Sequence, residues 1–320
     1  MGQWSDLLVR SLLESGADVH GLSGLRPKMT GPDFEAALGL FLRRAESFAR
    51  IKDVIPLTLN VPGGPGPAIQ TWYDQVQSRF DQINQGVVDS LIREFNHSRL
   101  AVDAAAAAYS ALFQTLGMTS FRQLVYATTN FDSLGELALA QLGARIDAGE
   151  PTRQPGGHAT GLDVAGLLDG MPRTTPVLHL HGKAGWYRNS EGNVEVLDVT
   201  QHHPSHGVPL VMLPDPNKTY AGDDVLALLW AQLEDALSNA RRVLVLGHSL
   251  NDVQLVKLLK ERIPNQRQLA ITYFGNESTH DEQQLTYLKS VFGSDPSYYA
   301  LTFGRKLAGR LDLLAQWATS

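Results

Sequence analysis

From residue 121 onward, short apolar runs rich in β-branched residues alternate with segments of helical periodicity. Strands are predicted at 123–129, 176–182, 208–213, 241–249, 268–275 and 297–304. Several of these runs are apolar on both faces, which is the pattern of parallel strands covered by helices on each side. The alternation therefore predicts an α/β fold with a mostly parallel sheet and helices on both faces.

Helical segments fill the first third of the chain and the gaps between the predicted strands. Helices are predicted at 33–49, 69–82, 86–97, 100–115, 132–142, 223–238 and 252–261. The stretches at 61–68 and 149–160 are rich in Gly and Pro, so both are predicted as loops.

Composition excludes several function classes. The 320 residues include no cysteine, which rules out a disulfide scaffold, a cysteine nucleophile and any zinc site built from thiolates. A net charge of −6 argues against a protein held to nucleic acid by bulk positive charge. No apolar run approaches the roughly 20 residues that span a bilayer, and residues 1–16 lack the apolar core of a signal peptide. These features predict a cytoplasmic protein that contacts neither membrane nor nucleic acid directly.

Ligands of parallel α/β sheets bind at the carboxyl ends of the strands, so the loops there carry the candidate site residues. Thr129, Asn130 and Asp132 follow the first predicted strand directly. Asn130 offers an amide donor and a carbonyl acceptor, and Asp132 offers a carboxylate. The alternative is that these residues only cap the helix that follows.

The strand predicted at 176–182 ends in a second candidate, His181. An imidazole there can act as a general base near neutral pH, and Gly182 allows a sharp turn beside it. We expect His181 and Asn130 at the rim of a cleft rather than in the core. His179 lies two residues earlier and is expected at the edge of the core with one hydrogen bond. A purely structural role is the alternative for His181.

The sequence LGHSLND at 246–252 joins the strand predicted at 241–249 to a helix. Gly247 permits the close approach of a ligand, and Ser249 can cap the helix or bind a ribose hydroxyl. Backbone N–H groups at the start of that helix favour phosphate. By contrast, HHPSH at 202–206 lacks the spacing of a metal-binding histidine pair, so a solvated loop and no metal site are predicted there.

Four segments, taken together, resemble the sirtuin-like family of NAD-consuming domains. They are TTNFDSLGE at 128–136, VLHLHGKAGW at 177–186, PLVMLPDPNKTY at 209–220 and LLWAQLEDALSNARRVLVLGHSLNDVQL at 228–255. Their order and spacing fit the family over about the C-terminal two thirds of the chain. The resemblance implies one domain over 1–320, with a Rossmann-like core at 119–320 and an inserted helical module at 30–118.

The resemblance also implies roles for the residues at the strand ends. NAD would be bound through Thr129, Asn130, Asp132, Gly247, Ser249 and Asn276. Asn130 would orient the nicotinamide ribose and the attacking water, and Asp132 would hold the nicotinamide side or brace Asn130. His181 would be the general base. Gly247 and Ser249 would line the ribose and adenine side, and Asn276 would contact the adenosine end.

The lack of cysteine indicates which branch of the family the chain resembles. Protein deacylases of the family carry a zinc module held by four cysteines, which this chain cannot build. The chain is similar instead to the cysteine-free bacterial branch, whose members hydrolyse NAD, often as effectors of antiphage defence. This implies an NAD hydrolase that releases nicotinamide and ADP-ribose, with NAD as substrate, no metal, and a homo-oligomer or a defence-system protein as partner. The alternative is a catalytically inactive nucleotide-binding or scaffolding module.

The N-terminus departs from the family pattern. The family opens with a buried strand and a Gly-rich loop that cradles the NAD phosphates, whereas MGQWSDLL at 1–8 resembles the helix after that loop. The absence of a central strand predicts a gap in the sheet, or neighbours that close up to pair. It also predicts weak NAD binding, because fewer backbone amides face the pyrophosphate.

Overall fold

The computed structural model describes most of the chain from residue 99 onward. The described residues are 70–78, 99–118, 123–151, 158–171, 173–197, 207–212, 220, 222–248, 250, 252–274, 279–301 and 313–318. The helices predicted at 33–49 and 86–97, the loop at 61–68, HHPSH at 202–206 and the segment 1–8 lie outside them. Of the proposed helical module at 30–118, the described parts 70–78 and 99–115 are helical, in agreement with the periodicity.

Helices alternate with strands through this part of the chain. The labelled helices are Arg99–Thr115 (α1), Leu134–Gln141 (α2), Asp224–Asn239 (α3), Val253–Arg262 (α4) and Thr279–Phe292 (α5). Two shorter helical segments occupy 70–78 and 313–318. Among these described helices, none has the length and apolar character needed to cross a membrane.

The described strands form three sheets. They are Tyr126–Thr128 (β1), Ile146–Asp147 (β2), His158–Thr160 (β3), Thr175–His179 (β4), Gly182–Arg188 (β5), Val194–Leu197 (β6), Val208–Val211 (β7), Val243–Val245 (β8), Leu269–Phe274 (β9) and Ser297–Leu301 (β10). Two sheets have three strands each, in the orders β1-β4-β2 and β10-β9-β8, and the third has the order β3-β6-β5-β7.

All strand pairs in the two three-stranded sheets are parallel. These strands alternate with helices, which confirms the α/β, Rossmann-like fold class predicted from the sequence. The single sheet expected from the strand pattern is divided: β1 and β8 are edge strands of separate sheets in the described part of the chain. Residues of both nonetheless pack against one apolar core, Val125 and Ala127 from one side and Val243 and Val245 from the other.

The four-stranded sheet is antiparallel. The run at 208–213, predicted as a strand, contains β7, which pairs antiparallel with β5. The strand predicted at 176–182 ends at His179, and a separate strand of seven residues, β5, begins at Gly182. Residues 149–160 were predicted as a loop, yet His158–Thr160 pairs with β6. Strand β5 is paired on both edges, by β6 and β7, and its residues from Gly182 to Tyr187 are all buried.

Helix α3 fixes the end of β4, where the candidate site begins. Its apolar residues recur at helical spacing, and the Asp223 carboxylate caps it by accepting a hydrogen bond from the Leu226 N–H at 3.0 Å. Leu229 and Trp230 are buried. The Trp230 indole donates to the Leu180 carbonyl at 2.9 Å, which ties α3 to the residue after β4.

Gly182 is required where β4 passes into β5. Its φ is +81°, and a Cβ added there would lie 1.9 Å from the Leu210 carbonyl oxygen. We expect Gly182→Ala to destabilise the fold by at least about 2 kcal/mol more than Gly192→Ala. Gly192 is the matched control, because its φ is +87° but no atom lies within 4 Å of a Cβ there. Thermal unfolding measures both, and equal losses of stability would contradict the steric argument.

Candidate functional site

The carboxyl ends of β1 and β4 lie side by side. These strands are parallel, and Thr128 is paired with His179. The Leu180 N–H donates to the Thr128 carbonyl at 2.9 Å, which extends the pairing past the strand end. Asn130 and His181 therefore follow neighbouring parallel strands at the same edge of the sheet.

The residues after β1 combine exposure with local capping. The Asn130 N–H donates to the Thr128 hydroxyl at 3.0 Å, and Asn130 itself is exposed while Thr129 is half-buried. The Asp132 carboxylate accepts from the N–H of Leu134, the first residue of α2, at 2.9 Å, while Ser133 occupies the N-cap position. Burial raises the pKa of Asp132. One oxygen of Asp132 is therefore used at the start of α2.

His181 is buried rather than placed at a cleft rim, with 8% of its surface exposed. This corrects the expectation from the sequence. Its Nε2 lies 3.1 Å from the Tyr220 hydroxyl oxygen and 3.2 Å from the Asp252 Oδ2. The Tyr220 hydroxyl in turn donates to the same Asp252 oxygen at 2.6 Å. The three side chains form one buried polar group, the His181–Tyr220–Asp252 triad.

Asp252 divides its two oxygens between the helix and the triad. Its Oδ1 caps α4 by accepting from the Gln254 N–H at 3.0 Å and the Leu255 N–H at 3.2 Å. Its Oδ2 contacts Tyr220 and His181. Because α4 fixes the carboxylate, the helix also fixes the position of the imidazole. His181 comes after β4 in the first three-stranded sheet, and Asp252 comes after β8 in the second. The triad therefore links the loops that follow these two strands.

The loop before α4 is held in an uncommon conformation. Leu250 has a φ of +56°, in the left-handed region that residues other than glycine rarely adopt. It is 1% exposed, and its N–H donates to the His248 Nδ1 at 2.8 Å. Such conformations persist only where the surroundings enforce them, and they concentrate at functional sites.

Tyr220 acts as a donor within the triad. Burial is the largest cause of its raised pKa, and the hydrogen bond to Asp252 and that residue's charge raise it further, so the phenol stays protonated. Its ring stacks on Trp230 with centroids 4.0 Å apart and lies nearly parallel to the His181 ring at 6.0 Å. The stack leaves the hydroxyl directed at Asp252.

The remaining NAD-binding candidates are described only in part. Gly247 is exposed, has a φ of +62°, and donates its N–H to the Thr272 hydroxyl at 3.0 Å. Ser249 and Asn276 lie outside the described residues. In that described part, no group of three or more potential metal ligands comes together.

His179 is fully buried and contacts two groups rather than one, which corrects the second histidine prediction. Its Nε2 contacts the Glu136 carboxylate, and its Nδ1 lies 3.4 Å from the Asn130 carbonyl oxygen. The ring also meets Trp186 edge-on, with centroids 5.5 Å apart. His179 therefore joins the loop after β1 to a charged interior.

That interior is a buried charge cluster of Glu136, Glu150, His179 and Lys183. Lys183 is only 4% exposed, and its ammonium donates to Glu136 at 3.0 Å and to Glu150 at 2.7 Å. The Trp186 indole also donates to Glu150, at 2.8 Å. Burial alone would raise the pKa of Glu136, but the hydrogen bonds and charges of His179 and Lys183 outweigh it and lower the pKa to about 2.

Sequence reasoning missed Tyr220, Asp252, Glu136 and Lys183. Each lies inside one of the four segments quoted for the family resemblance. The signal available was their place in these motifs at strand ends, where they stand among other polar residues that gave no reason to select them. Periodicity could not reveal their partners, which are 32 to 71 residues away along the chain.

Comparison with known proteins identifies one family. The model of the SIR2-like domain matches residues 124–292, which is more than half of the chain. No curated protein matches the chain. The match covers β1, β4, β8 and β9 and every residue of the triad and of the buried charge cluster. The chain therefore belongs to the SIR2-like domain family.

Proposed function

We propose that this SIR2-like domain hydrolyses NAD to nicotinamide and ADP-ribose. The family includes NAD-dependent enzymes, and the chain contains none of the cysteines of the deacylase zinc module. The observation that carries the proposal is His181, buried at a strand end and engaged through Nε2 by Asp252 and Tyr220. An oriented imidazole beside a second polar strand end is the arrangement that a hydrolytic site needs.

The proposed reaction breaks the N-glycosidic bond between nicotinamide and ribose. The bonding electron pair leaves with the nicotinamide ring, which neutralises its positive charge. A water oxygen bonds to the ribose carbon through a transition state with oxocarbenium character, and the water proton passes to His181. Asn130 orients the ribose and the water through its amide, because it is exposed at the neighbouring strand end.

Binding of NAD is proposed across the strand ends. Thr129, Asn130 and Asp132 come at or after the end of β1 along the chain, Gly247 and Ser249 follow β8, and Asn276 follows β9. Gly247 supports this map because it is exposed and has no side chain to obstruct a ligand. Asp132 would contact the nicotinamide side and brace the loop that carries Asn130.

A catalytically inactive nucleotide-binding module is the second candidate. Two groups assigned to NAD already make local structural hydrogen bonds: an oxygen of Asp132 accepts from the first N–H of α2, and the Gly247 N–H donates to Thr272. A site reduced to such structural contacts would bind a nucleotide or scaffold a partner without turnover.

One experiment separates the two candidates. The full chain is incubated with NAD, binding is followed by calorimetry, and free nicotinamide is quantified by chromatography. We expect nicotinamide and ADP-ribose in equal amounts. Binding without product would favour the inactive nucleotide-binding module, and the absence of both binding and product would contradict NAD hydrolysis and NAD binding alike.

The biological setting is a further part of this proposal. Similarity to the cysteine-free bacterial branch supports a cytoplasmic effector of antiphage defence, working as a homo-oligomer or with a defence-system protein. Depletion of cellular NAD on infection is the consequence to measure. Unchanged NAD in infected cells that express the chain would contradict this setting without bearing on the activity of the purified protein.

A further inference from the structure

We propose that Asp252 is a positioning residue that keeps the proton of His181 on Nε2 and so presents Nδ1 as the base, with Tyr220 holding Asp252 in place. The expected effect on catalysis rests on the proposed NAD hydrolysis. The position of the His181 proton is independent of that proposal, because it can be measured in the protein without NAD.

With the Asp252 carboxylate ionised, the contacts within the triad favour one set of protons. An ionised Asp252 carboxylate only accepts, so the contact of 2.6 Å to Tyr220 requires the phenol to donate. The raised pKa of Tyr220 agrees with a protonated phenol. The His181 Nε2 then faces two oxygens, Asp252 Oδ2 at 3.2 Å and Tyr220 Oη at 3.1 Å. The Tyr220 proton is already committed, so an Nε2–H is the arrangement that satisfies both oxygens.

A proton on Nε2 determines the chemistry of the other nitrogen. In neutral imidazole one nitrogen carries the proton and the other carries the basic lone pair. With Nε2 protonated, the lone pair is on Nδ1, which is where a proton from water is taken up. The imidazolium that forms is then stabilised by the adjacent Asp252 carboxylate.

The position of Asp252 is set by the backbone rather than by the triad alone. Two N–H groups at the start of α4, those of Gln254 and Leu255, hold its Oδ1. Leu250, two residues before the cap, has a left-handed backbone. His181, Tyr220 and Asp252 are 8%, 3% and 9% exposed, so water competes little for these hydrogen bonds. The helix cap and the imidazole are therefore parts of one rigid unit.

The decisive variant is Asp252→Asn. Asparagine is as good a helix cap as aspartate, so α4 stays capped. Its amide N–H₂ replaces the acceptor that faces His181, which favours a ring with Nε2 unprotonated. We expect the tautomer to change from Nε2–H to Nδ1–H, kcat for NAD to fall at least about 100-fold, and KM to change less than about threefold.

Asp223→Asn is the matched control. Asp223 caps α3 as Asp252 caps α4, and its other oxygen pairs with Arg188 at 2.8 Å, outside the triad. The same chemical change there should leave both kcat and the His181 tautomer as in the parent. Tyr220→Phe keeps the ring stack and Asp252, so it should retain the Nε2–H tautomer.

The tautomer is read by NMR of ¹⁵N-labelled histidine in the full chain, with His181 assigned from its absence in His181→Ala. An Nδ1–H ring in the parent, or an unchanged tautomer in Asp252→Asn, would overturn the inference. If Asp252→Asn does not fold, the parent spectrum and Tyr220→Phe still decide, because an Nδ1–H ring in either would overturn it. A parent that shows Nε2–H but hydrolyses no NAD would support tautomer control and reject the proposed function.

Discussion

We expect His181→Ala to lower kcat for NAD hydrolysis by about 100- to 10,000-fold, because a positioned general base contributes on the order of 10² to 10⁴. Asn130→Ala should lower kcat by at least about 100-fold, since it removes the amide that orients the water and the ribose. The two side chains follow neighbouring parallel strands, so each variant removes one half of the proposed site. Steady-state release of nicotinamide measures both effects.

The two variants should differ in their effect on stability. Asn130 is exposed, so its truncation should leave the unfolding temperature within a few degrees of the parent. His181 is buried against Asp252 and Tyr220, so its loss should cost about 1–2 kcal/mol.

Asn239→Ala is the control for asparagine truncation, because that side chain is exposed and bonds only within α3, to Asp235. It should retain the parent kcat. A folded His181→Ala that keeps parental kcat would remove His181 from the mechanism.

The α/β class follows from the alternation of apolar runs and helical periods because each of those signals is local in sequence. The runs around β1, β4, β8, β9 and β10 are strands in the structure, and all are parallel. Strand β5 has the sequence GKAGWYR, which lacks alternation and includes glycine and charge. It is a strand because β6 and β7 pair with its two edges, and no local pattern reports such pairing.

The site residues likewise divide into those that local sequence signals indicate and those that only a tertiary contact reveals. The rule that ligands meet parallel strands at their carboxyl ends directs attention to Asn130 and His181. It does not identify Asp252, which lies 71 residues from His181 along the chain. Capping propensity explains why an aspartate precedes α4, but the use of its second oxygen by His181 and Tyr220 is a tertiary contact.

The buried charge cluster should be the most sensitive point of the fold. Glu136→Gln removes the carboxylate that contacts both His179 and Lys183, whose side chains are 0% and 5% exposed. Breaking a buried ion pair from one side leaves an uncompensated charge, which costs about 3–5 kcal/mol. We expect a loss in that range at pH 7, measured by urea unfolding.

Glu234→Gln provides the matched comparison on the surface. Glu234 pairs with Arg262, and both side chains are at least 40% exposed. Exposed ion pairs contribute about 0–1 kcal/mol, so the same substitution there should change the free energy of unfolding little. Equal losses for the two glutamates would contradict a special role for the buried charge cluster.

The effect of Glu136→Gln should also depend on pH. The pKa of Glu136 is lowered from 4.5 to about 2 in the folded protein. A lowered carboxyl pKa stabilises the fold fully above the unfolded value, and this contribution is lost as the pH falls towards the folded value. The shift corresponds to roughly 3 kcal/mol. The difference in unfolding free energy between the parent and Glu136→Gln should therefore be constant from pH 7 to about 5.5 and shrink between about pH 4.5 and 2. A difference that stays constant down to pH 2.5 would mean that Glu136 stabilises the fold through packing and not through its charge.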